Sequence, residues 1–367
     1  MTASSYATEF EVAAMELLDA QMARGPIREQ REKAGWSESL WAAFVDAGWL
    51  DVMLPDDLGG LGLGIREISG IFTAAGKQLV PGPLFDNAVA VPLVVSGATR
   101  TEHLRALVAG RKRISLADGA ASSQPAESRP RIADGRLFGS VDLVRCGGGT
   151  VEHLLVVVEH PEPTLVMAST ATAGLTSRHR RSFDPAAECA QVVFDGAEFE
   201  PLFENRSGEP ERAASRITQL RDAARLLYAH EAAGTARHLL DSAVSYAKER
   251  EQFGRPIGAF QAVAHLLATL ATRQLTLEAA CEQGLDLWDG DPVRRGVAAA
   301  TAKAIAADVG RSVGEGALQV HGGIAFTHEF PLHRWHLHAL SLQGLYGDQR
   351  VLAAELGHLL LHEGLEP

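Results

Sequence analysis

The spacing of apolar residues divides the chain into a helical front, a β-rich middle and a helical back. From Glu9 to about Val108, apolar residues recur at helical intervals, which predicts several short helices. From Arg113 to about Phe203, short β-branched runs alternate with Gly, Pro, Asp and Ser, which predicts a small β-domain. We therefore predict a mainly α chain with a β middle domain, divided at 1–110, 111–207 and 208–367.

The last of these regions carries the longest helical pattern. It predicts three long helices, over Glu211–Arg250, Ala259–Leu287 and Val293–His321. Segments rich in Gly and Pro separate them. A fourth segment, roughly Pro331–His362, completes a predicted four-helix bundle.

Composition and charge exclude several classes of protein. The 367 residues are 46% hydrophobic, which is enough apolar material for more than one core. The net charge of -12 is spread along the chain and leaves no basic footprint, so nucleic acid is excluded as a main partner. The N-terminus lacks a signal-peptide pattern, and no apolar run is long enough to span a bilayer. We expect a cytoplasmic protein that does not enter a membrane.

Neither the cysteines nor the histidines predict a metal site. Cys146, Cys189 and Cys281 lie far apart and have no metal-type spacing, so we expect reduced thiols. Four histidines cluster near the C-terminus, but no cysteine or acidic set accompanies them at zinc spacing. We therefore predict that they lie on a helix surface or at an interface. They are His328, His333, His336 and His338.

Two arginines flank the predicted end of the first long helix. Arg250 and Arg255 can each bind a phosphate oxygen pair, and the backbone of Gly254 and Gly258 permits close approach, which suits a pyrophosphate. Taken alone, arginines at a helix end more often cap carbonyl groups or pair with neighbouring glutamates.

Three motifs in a fixed order make the pattern specific. They are Tyr246–Gln261 (YAKEREQFGRPIGAFQ), Gln319–Phe326 (QVHGGIAF) and Leu54–Gly64 (LPDDLGGLGLG). In sequence, order and spacing the chain resembles the acyl-CoA dehydrogenase superfamily. The resemblance implies an FAD-dependent oxidoreductase with an N-terminal helical domain, a small β-barrel-like domain and a C-terminal four-helix bundle.

The resemblance also implies a cofactor site shared between subunits. In the family, residues of the two C-terminal motifs contact the pyrophosphate and adenosine portion of FAD held by a neighbouring subunit. The matching residues here are Arg250, Phe253, Gln261, Gln319, Gly322 and Gly323. Glycine at the last two positions is expected to let main-chain N–H groups face the cofactor.

The flavin-facing motifs of the β-domain depart from the family. Where the family has a Thr-Glu-Pro-x-Ala-Gly-Ser-Asp loop, this chain has Ala117–Gln124 (ADGAASSQ). Where it has Trp-Ile-Thr-Asn, this chain has Leu143–Cys146 (LVRC). The side chains that hold and cover the flavin ring are absent, although backbone N–H groups are still available there.

The catalytic carboxylate of the family is also absent. Dehydrogenation of a thioester needs a base for the α-proton while hydride passes to the flavin. One family position for that glutamate falls at Tyr346 or Gly347, and the other, just before Arg225, is Ala224. Asp348 is the nearest carboxylate, but it is shorter than glutamate, and a helix-capping or solvated role is favoured for it.

These losses, beside retained contacts to a neighbouring FAD, resemble the non-catalytic chain of heterotetrameric (α2β2) acyl-CoA dehydrogenases of actinobacteria. That comparison implies a second acyl-CoA dehydrogenase chain, an acyl-CoA substrate with either a steroid side chain or a fatty acyl group, and an electron-transfer acceptor. The alternatives are a self-sufficient homotetrameric dehydrogenase that uses Asp348 or another base, a flavin-dependent oxygenase or oxidase on the same fold, and a scaffold protein that binds no nucleotide.

Overall fold

The computed structural model describes residues 3–23, 38–122, 124–145, 151–184, 187–204, 206–327 and 330–362. Helices make up the front of the chain as predicted. The front helices are α1 (Ala3–Ala23), α2 (Glu38–Asp46), α3 (Ile65–Gln78), α4 (Val91–Gly97) and α5 (Glu102–Ala109), with a short π-helix at Asp86–Ala90 before α4.

The β-rich middle forms two four-stranded sheets. The strands are β1 (Ile114–Ala117), β2 (Arg131–Ala133), β3 (Arg136–Arg145), β4 (His153–Val158), β5 (Thr164–Ser169), β6 (Leu175–Arg180), β7 (Cys189–Ala197) and β8 (Glu200–Pro201). The first sheet has the order β1-β4-β5-β8, with β1 and β4 parallel, and the second has the order β2-β3-β7-β6. Both sheets contribute side chains to one apolar core, including Val141, Val156 and Phe194.

The back of the chain is helical. It contains α6 (Glu209–Glu249), a two-stranded hairpin of β9 (Glu251–Gln252) and β10 (Arg255–Pro256), and then α7 (Gln261–Asp286), α8 (Pro292–His321), α9 (His333–Gln343) and α10 (Gln349–His362). The three long helices match the predicted segments to within a few residues. At the start of α8, Asp291 accepts hydrogen bonds from the N–H groups of Val293 and Arg294 and so caps the helix.

Two expectations for the last segment need correction. It is not one helix, because residues between Gln343 and Gln349 leave the helical conformation; Tyr346 and Gly347 have φ values of 55° and 109°. His338 is not a surface residue either. Its side chain is 1% exposed, and its Nε2 lies 2.9 Å from the Glu231 carboxylate. His333 and His336 are half-buried, and His328 lies outside the described residues.

The chain divides into two compact units. One comprises Met1–Glu16, Ser69–Val80 and Arg225–Pro367, and the other comprises Leu17–Ile68 and Pro81–Ala224. We call them the helical unit and the β-containing unit. The division into domains at 1–110, 111–207 and 208–367 stays a prediction.

Within the described ranges, no helix is long and apolar enough to cross a membrane. No group of three or more His, Cys, Asp or Glu side chains in the same ranges is arranged to hold a metal ion. Cys189 and Cys281 are buried free thiols, and Cys146 lies outside the described residues.

Candidate functional site

In the helical unit, a tight hairpin follows α6. The central residues of its turn, Phe253 and Gly254, have φ values of 54° and 77°, as a two-residue hairpin of the I′ type requires. A left-handed conformation is ordinary for glycine but uncommon for phenylalanine. The turn holds the Phe253 ring 92% exposed. The ring is therefore available for contact with another molecule.

The two arginines of this motif have different environments. The Arg255 guanidinium lies 4.1 Å from the centre of the Phe260 ring, which is a cation–π contact. Arg250 is exposed, and no ion pair of its side chain occurs among the described residues. Gln261, the first residue of α7, is exposed as well. Of the two arginines, Arg250 is therefore the one whose guanidinium group is available to bind an external anion.

An aromatic contact joins the two C-terminal motifs. The rings of Tyr246, on α6, and His321, at the end of α8, stack with centroids 4.5 Å apart. Phe330 packs against the same histidine, with centroids 4.8 Å apart. Because Arg250 is four residues after Tyr246 and Gly322 follows His321, this stack fixes the ends of α6 and α8 beside each other. The sequence motifs are thus neighbours in the fold.

His321 is held as a neutral ring. Its Nδ1 donates to the carbonyl oxygen of Ala317 at 2.8 Å, which leaves Nε2 as the lone-pair nitrogen. Nε2 is buried and has no hydrogen-bond partner in the described part of the chain. Burial lowers the pKa of His321, and the bond to Ala317 only partly opposes that effect.

The glycines after α8 are open to solvent, but one expectation for them is wrong. An added Cβ at Gly322 or Gly323 meets no atom within 4 Å, so an external group can approach both. Gly322 has φ 64° and ψ −143°, and its N–H donates to the carbonyl oxygen of Leu318. That N–H is therefore already used by the helix end. Gln319, on the last turn of α8, is exposed.

In the β-containing unit, strand β3 turns different side chains to its two faces. Val144 is fully buried in the core of the two sheets, opposite Ala190 on β7. Arg145 pairs with Cys189 and lies on the opposite face of the strand. Leu143 and Arg145 are both half-buried. Of the three residues that replace the family's flavin-facing motif here, Val144 belongs to the core.

The loop after β1 uses its polar side chains within its own unit. The buried Asp118 carboxylate accepts hydrogen bonds from Arg221 Nε at 2.9 Å and Nη2 at 2.8 Å. It also accepts the N–H of Ala120. Gln124 donates to the carbonyl oxygen of Ser140 and accepts the N–H of Asp142. The polar groups of Asp118 and Gln124 are thus already hydrogen-bonded within their own unit. Ser123 lies outside the described residues.

The loop that corresponds to the family's base carries no free carboxylate. Tyr346 is buried, and its ring stacks on Tyr228 with centroids 6.1 Å apart. Asp348 Oδ1 accepts the N–H groups of Arg350 at 2.8 Å and Val351 at 2.9 Å, which is the geometry of a helix N-cap. The capping interpretation of Asp348 has direct structural support. Its role as a base stays a prediction.

At the second family position, Ala224 is fully buried and has no ionisable group. Arg225 beside it donates two hydrogen bonds of 2.8 Å to the carboxylate of Glu355 on α10. Its Nε also donates to the carbonyl oxygen of Tyr346 at 3.2 Å. The arginine is therefore fully engaged within the helical unit.

Comparison with known proteins places this geometry in a family. The family model described as "Acyl-CoA dehydrogenase, C-terminal domain" matches residues 215–359, which contain α6 from its first turns, the hairpin, α7, α8, α9 and most of α10. The acyl-CoA dehydrogenase FadE34 of Mycobacterium tuberculosis is 32% identical over 310 residues. In sequence and in fold the chain matches the acyl-CoA dehydrogenase superfamily. The members of this superfamily are FAD-dependent oxidoreductases, which is the cofactor class and reaction class expected from the sequence.

The match to FadE34 covers 84% of this chain but only 40% of FadE34. Among solved structures, a glycine-to-alanine variant of the Tcur3481–Tcur3483 steroid ACAD is 26% identical, with a TM-score of 0.85 and 99% of each chain covered. The ChsE4–ChsE5 complex of Mycobacterium tuberculosis has a TM-score of 0.84 at 23% identity, covering 99% of this chain and 98% of that one, which shows the fold alone. The predicted fold class is confirmed.

Sequence reasoning missed one buried cation. Lys303, on α8, is among the largest fully buried side chains, at 1% exposure. The signal that was available is its position in the alanine-rich run Ala298–Ala307, where every neighbour at helical spacing is small and apolar.

Proposed function

We propose that the chain is the non-catalytic subunit of an FAD-dependent enzyme that forms the α,β double bond of an acyl-CoA thioester. A second acyl-CoA dehydrogenase chain would supply the flavin pocket and the catalytic base. This chain would complete the pyrophosphate and adenosine side of that FAD in trans. When bound, FAD supplies the hydride acceptor of the reaction.

One contrast between the two units carries the proposal. In the helical unit, the side chains of Arg250, Phe253 and Gln261 are exposed. In the β-containing unit, Asp118 and Gln124 are buried and bonded within the chain. Exposure of the first set favours a contact with an external cofactor, whereas the internal bonds of the second set favour a structural role for those two side chains.

The role proposed for Arg250 follows from its chemistry. A guanidinium that is exposed and without an internal ion pair can donate two parallel hydrogen bonds to phosphate oxygens. Phe253, beside it, offers an aromatic face on a rigid turn. Gln319 and Gly323 would add a side-chain amide and an accessible backbone from the end of α8. The Tyr246–His321 stack would hold these two sets of residues in a fixed relation.

The lack of a base supports the non-catalytic role. Removal of an α-proton requires a positioned acceptor near the substrate. Tyr346 carries a phenol in place of a carboxylate, Gly347 has no side chain, and the Asp348 carboxylate caps α10. Neither family position for the base therefore holds a carboxylate in this chain.

Two of the similar proteins support the choice of partner and substrate class. The Tcur3481–Tcur3483 steroid ACAD is named for two gene products and for a steroid substrate. The match to this chain covers 40% of FadE34, so more than half of FadE34 lies outside the matched region. By analogy, we propose a heterotetramer that acts on a steroid side-chain or fatty acyl thioester and passes its electrons to a separate acceptor.

The visible spectrum of the purified protein tests the proposal. The chain should be colourless, or poorly loaded with FAD, when expressed alone, and yellow when co-expressed with an acyl-CoA dehydrogenase chain that has the missing glutamate and flavin-strand motifs. Stoichiometric FAD on the chain expressed alone would contradict the non-catalytic role and favour the homotetrameric alternative.

A further inference from the structure

A buried lysine lies against the loop between α9 and α10. Lys303 Nζ donates hydrogen bonds to the carbonyl oxygens of Gln343 at 3.1 Å and Gly347 at 3.3 Å. Gln343 is the last residue of α9, so the ammonium group also lies at the negative end of that helix. One side chain from α8 thus binds both ends of the non-helical loop.

A second cation binds the middle of the same loop. Arg225 Nε donates to the carbonyl oxygen of Tyr346 at 3.2 Å, while its two terminal nitrogens bind Glu355 on α10. Asp348 then caps the start of α10. Lys303 and Arg225, from two different helices, together bind three carbonyl oxygens of one short loop.

The loop needs such support because its conformation is unfavourable. Tyr346 has a φ of 55°, a left-handed conformation that is energetically unfavourable for a residue with a Cβ. Such strain persists only when the surrounding structure imposes it. Gly347, with φ 109°, continues the turn. The result is that the Tyr346 ring lies against Tyr228.

A lysine is a costly residue for a purely packing role at this position. Burial disfavours the ammonium, and the nearby Arg225 disfavours it further, whereas Asp348 favours it; together they lower the pKa of Lys303 to about 7. A methionine or leucine would fill the same space without that penalty. What only lysine provides is a donor that reaches two carbonyl groups.

We infer that Lys303 is a positioning residue, whose bonds to Gln343 and Gly347 set the conformation of the loop at the family's base position. With 1% of its surface exposed, it acts through the loop and not on a substrate. The inference concerns the conformation of this loop, and the geometry of the clamp does not rest on the proposed function.

The clamp is sensitive to pH near neutrality. Its charged neighbours are Arg225 from α6, Asp348 from the loop, and Glu355 from α10, which binds Arg225. As pH rises through about 7, Lys303 loses its charge and its hydrogen bonds to the carbonyl groups weaken. Above pH 7 the unfolded chain, in which this lysine has its ordinary pKa of 10.5, binds more protons than the folded chain. The contribution of Lys303 to the free energy of unfolding therefore increases with pH, although its bonds to the loop weaken.

Hydrogen exchange of the full chain at pH 6 and pH 8.5 tests the inference, with rates corrected for intrinsic exchange. In the wild type, protection of the peptide containing residues 343–351 should fall by about tenfold between these pH values, the difference between charge-assisted and neutral hydrogen bonds. In Lys303→Met, protection should be low at both values. Lys248→Met, at an exposed position on α6, serves as the matched control and should behave as the wild type.

Equal protection of this peptide in Lys303→Met and the wild type would overturn the inference. If Lys303→Met does not fold, the wild type still decides, because pH-independent protection would contradict the clamp. The measurement needs neither FAD nor a partner chain, so its failure is distinguishable from failure of the proposed function.

Discussion

The ring of Tyr246 stacks on the ring of His321 at 4.5 Å, and this contact joins two motifs that are 75 residues apart in the chain. A stacked aromatic pair contributes roughly 0.5–1.5 kcal/mol beyond its buried area. The histidine takes part as a neutral ring, since burial lowers its pKa below 6.5. Protonation of His321 therefore opposes the packing that holds the proposed cofactor residues together.

This contact predicts acid sensitivity. Below pH 6.5 the unfolded chain binds a proton at this position more readily than the folded chain, so the free energy of unfolding falls as pH decreases. His321→Phe should remove the contribution of this histidine to the pH dependence of the free energy of unfolding, which is at most about 1.4 kcal/mol per pH unit. Urea denaturation between pH 7.5 and pH 5 measures it. His265→Phe, at an exposed position on α7, is the control; an identical pH slope in His321→Phe and the wild type would show that His321 does not titrate with folding.

Replacement of Arg250 should weaken FAD binding by the assembled enzyme. A lost charge-assisted bond to a phosphate is worth roughly 1.5–3 kcal/mol, so Arg250→Ala should raise the dissociation constant of FAD by about one to two decades. Arg250→Lys should recover only part, because an ammonium lacks the planar fork. FAD release from the complex, measured beside a thermal melt, separates cofactor loss from unfolding. Arg294→Ala, exposed at the start of α8, is the control. Unchanged FAD affinity in Arg250→Ala would mean that the motif serves subunit packing alone.

A glutamate at Gly347 should not restore a catalytic base. The φ of 109° is unfavourable for any L side chain, and an added Cβ would lie 2.9 Å from the side chain of Leu352. Gly347→Glu should therefore cost roughly 1–3 kcal/mol of stability and give no dehydrogenation by the chain alone. Gly344→Glu is the matched control, because an added Cβ there meets no atom within 4 Å. Turnover by Gly347→Glu without a partner chain would show that the loop accepts a base.

Asp348 distinguishes the two catalytic interpretations. As a helix cap, Asp348→Asn should leave stability nearly unchanged, since asparagine caps equally well, whereas Asp348→Ala should cost about 0.5–2 kcal/mol. Turnover of the assembly should be unchanged in Asp348→Asn. A decrease of about two to four decades, as for loss of a general base, would instead support the self-sufficient enzyme. Steady-state rates test the role of Asp348 as a base, and denaturation of the same preparations tests its role as a helix cap.

Local patterns predicted the elements of this fold well, because their causes are local. Helical spacing gave the extents of α6, α7 and α8, and the β-branched runs gave β4 and β5. The break before α10 was missed although Gly344, Gly347 and the capping Asp348 are local signals for it. The bonds that Lys303 and Arg225 make to this loop come from other helices and could not be predicted from local patterns. Likewise, the burial of His338 depends on Glu231, 107 residues away, and no pattern near His338 contains that partner.

The candidate site was predicted unevenly for a similar reason. The residues of the trans site were named from motifs, and the structure leaves Arg250, Phe253 and Gln319 exposed. The role of the Gly322 N–H was wrong, because the end of α8 determines its acceptor. The sequence did not predict which face of β3 Val144 takes, because the register of this strand shifts between Val141 and Val144, and period-two alternation does not foresee a bulge.

The exposed ring of Phe253 has a consequence for the supply of this protein in a cell. If the proposed second chain covers the hairpin, assembly takes out of water a ring that is 92% exposed in the single chain. Synthesis of the two chains in matched amounts would then matter as much as the affinity between them.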